Sequence, residues 1–239
     1  MESSTLAPKR FYGSGIPGID PEELGGKLIV LEGSDGSGRS TQITMLRNWL
    51  ERSGFALEEV GLKRSTLVAE ELEQAKRGHT LCPITFSLFY ATDFADQLEN
   101  KIIPALRSGF VVLADRYIYT LMGRAIARGV DPEWIREVYS IALVPDAVFY
   151  LEVTPKNLAE RNFRKNATLD YWEAGMDIRQ FGDMYQCFLR YQSQMQRIFR
   201  SMRSVYEFET IDGNRAPEVI SQELQAKVRN IVHSGRKPY

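Results

Sequence analysis

The sequence predicts an α/β fold, a five-stranded parallel sheet covered by helices on both faces. Three observations carry this. Short runs of aliphatic and β-branched residues alternate with longer segments of helical periodicity. Most of these runs are continuously apolar rather than alternating, as in strands buried on both faces. The first run, Leu28–Leu31, feeds a glycine-rich turn followed by an apolar-periodic segment with Ile43, Leu46 and Leu50. That strand–loop–helix order is the context a phosphate-binding loop requires.

The elements follow in order. Residues 1–26, rich in Gly, Pro, Ser and acidic side chains, predict an irregular extension, and residues 27–239 one domain. Within the domain we expect a strand at 27–32, a helix at 39–53, a strand at 56–61, and helical segments at about 67–77 and 84–108. A third strand at 110–114 precedes a helix near 132–142 and a strand at 147–153. A helix starting near Pro155 leads through a polar stretch to a long helix near 178–203. A strand at 205–211 and a helix near 216–232 close the chain.

Composition excludes more than it assigns. A formal net charge of −1 gives no global basic field for nucleic acid or an anionic membrane. No apolar run reaches spanning length, and the N-terminus lacks the basic-then-apolar layout of a secretion signal, so a cytoplasmic protein is expected. Cys82 and Cys187 are far apart, without metal-ligand spacing, and read as reduced, buried thiols. His79 and His233 are equally isolated.

Two motifs carry chemistry. Gly33, Ser34, Asp35, Gly36, Ser37, Gly38, Arg39 and Ser40 fit the phosphate-loop pattern G-x-x-x-x-G-K-[ST], with Arg39 where the pattern has lysine. Glycines in such a loop let successive backbone N–H groups face phosphate oxygens, and the helix N-terminus adds its positive end. Arg39 keeps the charge but exchanges a compact ammonium for a planar fork. The second motif is Asp115-Arg116-Tyr117 at the end of the third strand, where open α/β sheets gather ligands. Asp115 there suits Mg²⁺, directly or through water, and Arg116 a second phosphate.

Further segments extend the pattern: Lys63-Arg64-Ser65-Thr66, Leu88–Asp93 with Ile103–Leu106, and Arg128-Gly129 with Trp134-Ile135. Pro145-Asp146 leading into Tyr150-Leu151, Leu169-Asp170 with Glu173, and Ile211-Asp212-Gly213 continue it. With LIVLEGSDGSGRSTQ and Val112–Tyr117, this set resembles the thymidylate kinase family over nearly all of residues 27–232. The resemblance implies the three-layer P-loop kinase fold, ATP with Mg²⁺ as phosphoryl donor, and a deoxynucleoside monophosphate, most simply dTMP, as acceptor. It implies that Gly33, Gly36, Ser37, Gly38, Arg39, Ser40 and Thr41 bind ATP, and that Ser40 and Asp115 hold the metal. Asp35 would face the substrate sugar, Arg64 and Arg116 would clamp the acceptor phosphate, and Phe89 would stack on the base, with Tyr117 also on the substrate side. Asp35, Arg39, Arg116 and Arg164 form the expected catalytic set, and a lid near 161–176, with Arg161 and Arg164, would close over the phosphates.

The chain departs from the family pattern twice, at Arg39 and at Asp93, which stands where the family has an arginine donating to a thymine carbonyl. An aspartate only accepts, so either an amino-bearing base donates to Asp93 or Arg124 does. The alternative to a dTMP kinase is therefore a catalytically weakened or altered-specificity nucleotide-binding protein on the same fold. The resemblance also implies a twofold homodimer through the apolar segment 84–108.

Overall fold

The structure, a computed structural model, describes residues 9–78, 81–178 and 182–234. Five strands form one parallel sheet: β1 (Lys27–Glu32), β2 (Leu57–Gly61), β3 (Val111–Asp115), β4 (Ala147–Glu152) and β5 (Glu209–Asp212). Their order is β2-β3-β1-β4-β5. Alternate residues of the central strands feed two cores. Leu28 and Val30 of β1 pack with Val112 and Ala114 of β3 on one face; Ile29 and Leu31 pack with Val111 and Leu113 on the other. The apolar runs are continuous because both faces are covered.

The helices are α1 (Arg39–Arg52), α2 (Ala69–Gly78), α3 (Pro83–Gln97), α4 (Ile103–Arg107), α5 (Ile118–Ala127), α6 (Pro132–Val138), α7 (Pro155–Asn166), α8 (Met184–Tyr206) and α9 (Pro217–His233). α1 and α9 cover one face, and α3, α5 and α8 contribute to the other. The expected helix at 84–108 is interrupted by a π-helical turn at Leu98–Ile102, just before Pro104, which has no N–H for the regular ladder. α5 was not expected, and α6 ends at Val138 rather than near 142.

Residues 9–26 pack on the domain although they form only one short 3₁₀ turn, Pro21–Glu23. Phe11 bridges to Leu143, Lys9 pairs with Asp146, and the Tyr12 and Tyr119 hydroxyls meet at 2.6 Å. Residues 1–8 of the expected extension, His79 and residues 179–181 of the expected long helix lie outside the described residues. Cys187 is buried, but Cys82 is exposed at the start of α3, contrary to expectation. Among the described residues no helix is long and apolar enough to cross a membrane.

Candidate active site

Sheet register places the chemistry. In the β1–β3 pair Leu31 lies opposite Asp115, and in the β2–β3 pair Gly61 lies opposite Asp115. Three chain segments therefore leave the sheet side by side: the glycine-rich loop after β1, Lys63 and Arg64 after β2, and Arg116 after β3. They surround a cleft of about 610 Å³ that also takes Tyr90 from α3 and Arg161 and Lys165 from α7.

The loop has the backbone its glycines allow. Gly38 caps α1 at φ 93°, and Gly36 sits at φ 84°, where an added Cβ would lie 2.6 Å from Asn162 Nδ2. Both conformations are strained for residues with side chains. Ser34, Asp35, Gly36, Gly38, Arg39, Ser40 and Thr41 line the cleft. Gly33 and Ser37 do not belong to that lining: the Gly33 carbonyl accepts from Arg39, and the Ser37 hydroxyl is buried with no hydrogen-bond partner among the described residues.

Arg39 folds back across the mouth of the loop. Its Nε donates to Asp115 and its Nη1 to the Gly33 carbonyl, with the Ser34 carbonyl at 3.3 Å and Asp35 at 3.7 Å. A fork with several donors can bridge loop and strand end at once, which a lysine ammonium does less well. Arg116 is buried and holds Asp35 at 2.5 Å, with the Gly33 carbonyl at 3.4 Å from its Nε. Enclosure alone would raise the Asp35 pKa. Arg116, Arg124 and Arg39 outweigh that and hold it well below the usual carboxylate range. Arg64 reaches Asp115 at 3.7 Å and Glu59 at 3.8 Å, and remains over a third exposed to the cleft.

Glu32, which sequence reasoning did not single out, sets the approach to Arg116. It is fully buried and accepts from Tyr117 N at 2.9 Å, Thr120 N at 3.2 Å and Thr120 Oγ1 at 2.5 Å. Burial raises its pKa, against the hydrogen bonds that lower it. The carboxylate thus fixes the first turn of α5, immediately after Arg116.

Four expected residues lie elsewhere. Asp93 turns to the chain after β2, accepting from Lys63 N at 2.8 Å, Ser65 N at 2.9 Å and Gln97 Nε2 at 3.1 Å. Two backbone amides and the Gln97 side chain engage it, so it holds the Arg64 loop, while Arg124 pairs with Glu173 instead. Tyr117 is a core residue, its hydroxyl on the Leu143 carbonyl and its ring against Phe94. Phe89 is half-buried against the same core. Arg164 is exposed outside the cleft lining, whereas Arg161 reaches the Gly36, Ser37 and Gly213 carbonyls at 3.4, 3.3 and 2.9 Å.

Arg124 does line the cleft, paired with Glu173 of the segment after α7. Arg128 ties that segment down as well, through Asp177 and the Trp172 carbonyl. An aromatic hollow adjoins the cleft here, walled by Phe86, Tyr90, Tyr139 and Trp172, with Phe86 and Trp172 stacked at 5.0 Å. Lys76, Tyr90 and Arg124 line both spaces.

Comparison with known proteins bears on the family of the whole chain. The family model for thymidylate kinase matches residues 31–210. The probable thymidylate kinase 2 of Saccharolobus solfataricus is 39% identical over 209 residues, covering 87% of this chain and 95% of that protein. The thymidylate kinase of Thermoanaerobacter sp. strain X514 is 30% identical over 148 residues, 59% of this chain and 73% of that protein. The probable thymidylate kinase of Pyrobaculum aerophilum is 26% identical over 205 residues, 86% of this chain and 97% of that protein.

Proposed function

Because the chain belongs to the thymidylate kinase family, we propose that it transfers the γ-phosphoryl group of ATP to dTMP, giving dTDP and ADP. The observation that carries this reading is the convergence of two phosphate-binding sets on one cleft. The glycine-rich loop and the N-terminus of α1 suit the donor phosphates, and Arg64 and Arg116 at adjacent strand ends suit an acceptor phosphate. The P–O bond to the β-phosphate breaks as a dTMP phosphate oxygen bonds to the transferred phosphorus. This chemistry needs positioning and charge neutralisation more than covalent help.

Arg39, poised across the loop mouth, supplies positive charge to the transferred group. Asp35, ionised and held by Arg116, accepts from the sugar of the acceptor. Arg161 and Lys165 add charge from α7, and the segment 161–176 acts as a lid that excludes water. The retained charge set, Asp35, Arg64, Asp115 and Arg116, does not favour a decayed nucleotide-binding protein.

Mg²⁺ fits the donor set. Ser40 and Asp115 offer hard oxygens on the cleft wall, as Mg²⁺ prefers. Among the described residues no cluster of three carboxylate, histidine or cysteine ligands exists, so phosphate oxygens and water would complete its shell. The ion would neutralise charge on the donor phosphates.

The protein acts in the cytoplasm as a homodimer with an isologous interface. Ile84 and Leu88 of α3, nearly half exposed, supply apolar surface for that contact. The test of function is a panel of nucleoside monophosphates with ATP and Mg²⁺, reading ADP formation for each. Turnover of dTMP above the others is expected; ADP formation with none of them would end the proposal.

A further inference from the structure

Three cations line the aromatic hollow: Arg124, Arg128 and Lys76. Two are committed to the protein itself. Arg124 is paired with Glu173, and Arg128 with Asp177 and the Tyr191 hydroxyl at 2.8 Å. The Lys76 ammonium makes no ion pair and no hydrogen bond among the described residues. Yet it stands where the phosphate cleft meets the hollow, and Tyr90 and Arg124 are the other side chains that line both. A nucleotide with its phosphate at Arg64 and Arg116 would carry its base past this junction.

We propose that Lys76 selects the base, donating from Nζ to the pyrimidine 4-carbonyl, so that the site takes the keto rings of dTMP and dUMP and disfavours the 4-amino ring of dCMP. This rests on the reading of the cleft as a monophosphate kinase site. An ammonium has donors only and cannot satisfy an amino edge, which itself donates. Burial first, then the neighbouring charges of Arg124 and Lys63, push the Lys76 pKa down against the more weakly felt Asp170 and Glu73, so a ligand acceptor at Nζ would favour the charged form. The phosphate end needs no third clamp, since Arg64 and Arg116 already flank it. The donor that the family places on α3 is missing because Asp93 there serves the loop after β2. Lys76 of α2 supplies a donor from the other side of the hollow.

The experiment compares the parent with Lys76→Met, which keeps an apolar stem without donors, and with Lys76→Arg. Steady-state kinetics with dTMP, dUMP and dCMP, and calorimetric titration of each, give the readout; circular dichroism verifies folding. Lys76→Met should lower kcat/KM for dTMP and dUMP by about 10–100-fold, the range of one hydrogen bond to a charged group. It should leave dCMP unchanged or improved and the KM for ATP within about twofold. Lys76→Arg should restore most of the dTMP activity. Equal losses on all three monophosphates would assign Lys76 to the phosphate and overturn the inference, as would no loss on any. A parent enzyme that turns over no pyrimidine monophosphate would instead overturn the kinase reading itself, together with this inference.

Discussion

Replacing Arg39 with alanine separates what this side chain does for the fold from what it does for the reaction. The guanidinium is nearly enclosed, with 8% of the side chain exposed, and reaches one carboxylate and two loop carbonyls. Three charge-assisted hydrogen bonds at about 1.5–3 kcal/mol each set an upper bound on the loss. The real loss is smaller for two reasons. The vacated space opens on the cleft, so water rehydrates the carbonyls, and Asp115 keeps Arg64 at 3.7 Å. We expect about 2–3 kcal/mol, or a fall in Tm of about 5–10 °C for a chain of this size. Activity should fall much further, by about 10²–10⁵-fold, as for a cation removed from a transferring phosphoryl group. Arg39→Lys should lose about 1 kcal/mol, because one ammonium cannot bridge all three acceptors, and keep turnover within about tenfold of the parent. The assay couples ADP formation to NADH oxidation at a temperature at least ten degrees, roughly, below the lowest Tm of the series. If Arg39→Ala matched the parent in turnover, Arg39 would be a structural bridge alone and its assigned role would fall.

Other residues yield equally direct tests. Arg64→Ala and Arg116→Ala should weaken dTMP binding by about 10–100-fold while nearly sparing ATP; equal losses for both ligands in calorimetry would put these arginines on the wrong phosphate. Glu32→Ala should destabilise by about 2–4 kcal/mol, leaving the Tyr117 and Thr120 amides without an acceptor. Glu32 has a raised pKa in the folded state, so its contribution favours folding below the ordinary glutamate range and is lost as pH rises through the raised value. The Tm of Glu32→Gln relative to the parent should therefore improve as pH rises from about 4 to 8, and a flat or reversed difference would contradict a burial-raised pKa. Light scattering should give a dimer mass at micromolar concentration; a monomer would remove the isologous contact at α3.

The sheet and the phosphate loop were legible in the sequence because each has a local signature: continuous apolar strands, and glycines at spacings that only a tight anion-binding turn uses. α5 was missed because IYTLMGRAIA is short, starts without a side-chain cap and is apolar over most of its length, with eight of its ten residues buried. The role of Asp93 was illegible for a different reason. Its partners are backbone amides about thirty residues away in sequence, and nothing in a sequence marks which amides a turn leaves open. Arg161 and Arg164 carry the same charge, and the sequence does not mark which of them faces the cleft. The lining residues Arg161, Asn162 and Lys165 share one side of α7, which turns Arg164 away. Phe86 and Phe89 differ only in facing, and which one meets the hollow depends on how α3 rolls against the sheet.

Arg116 and Lys63 share a property that links the site to its own history. Each has left-handed backbone, φ 71° and φ 59°, at the end of a strand beside the cleft. Glycine would adopt either conformation without the roughly 1–2 kcal/mol that a side chain incurs there. A descendant relieved of catalysis would recover that cost by drifting to glycine, but only where it could also forgo the Arg116–Asp35 and Lys63–Glu73 ion pairs. Natural variants of this chain can be sorted on that basis without any assay. Glycine at position 116 would mark a lineage that had given up the Asp35 pair together with turnover, whereas arginine there in a left-handed turn would mark one still under selection for it.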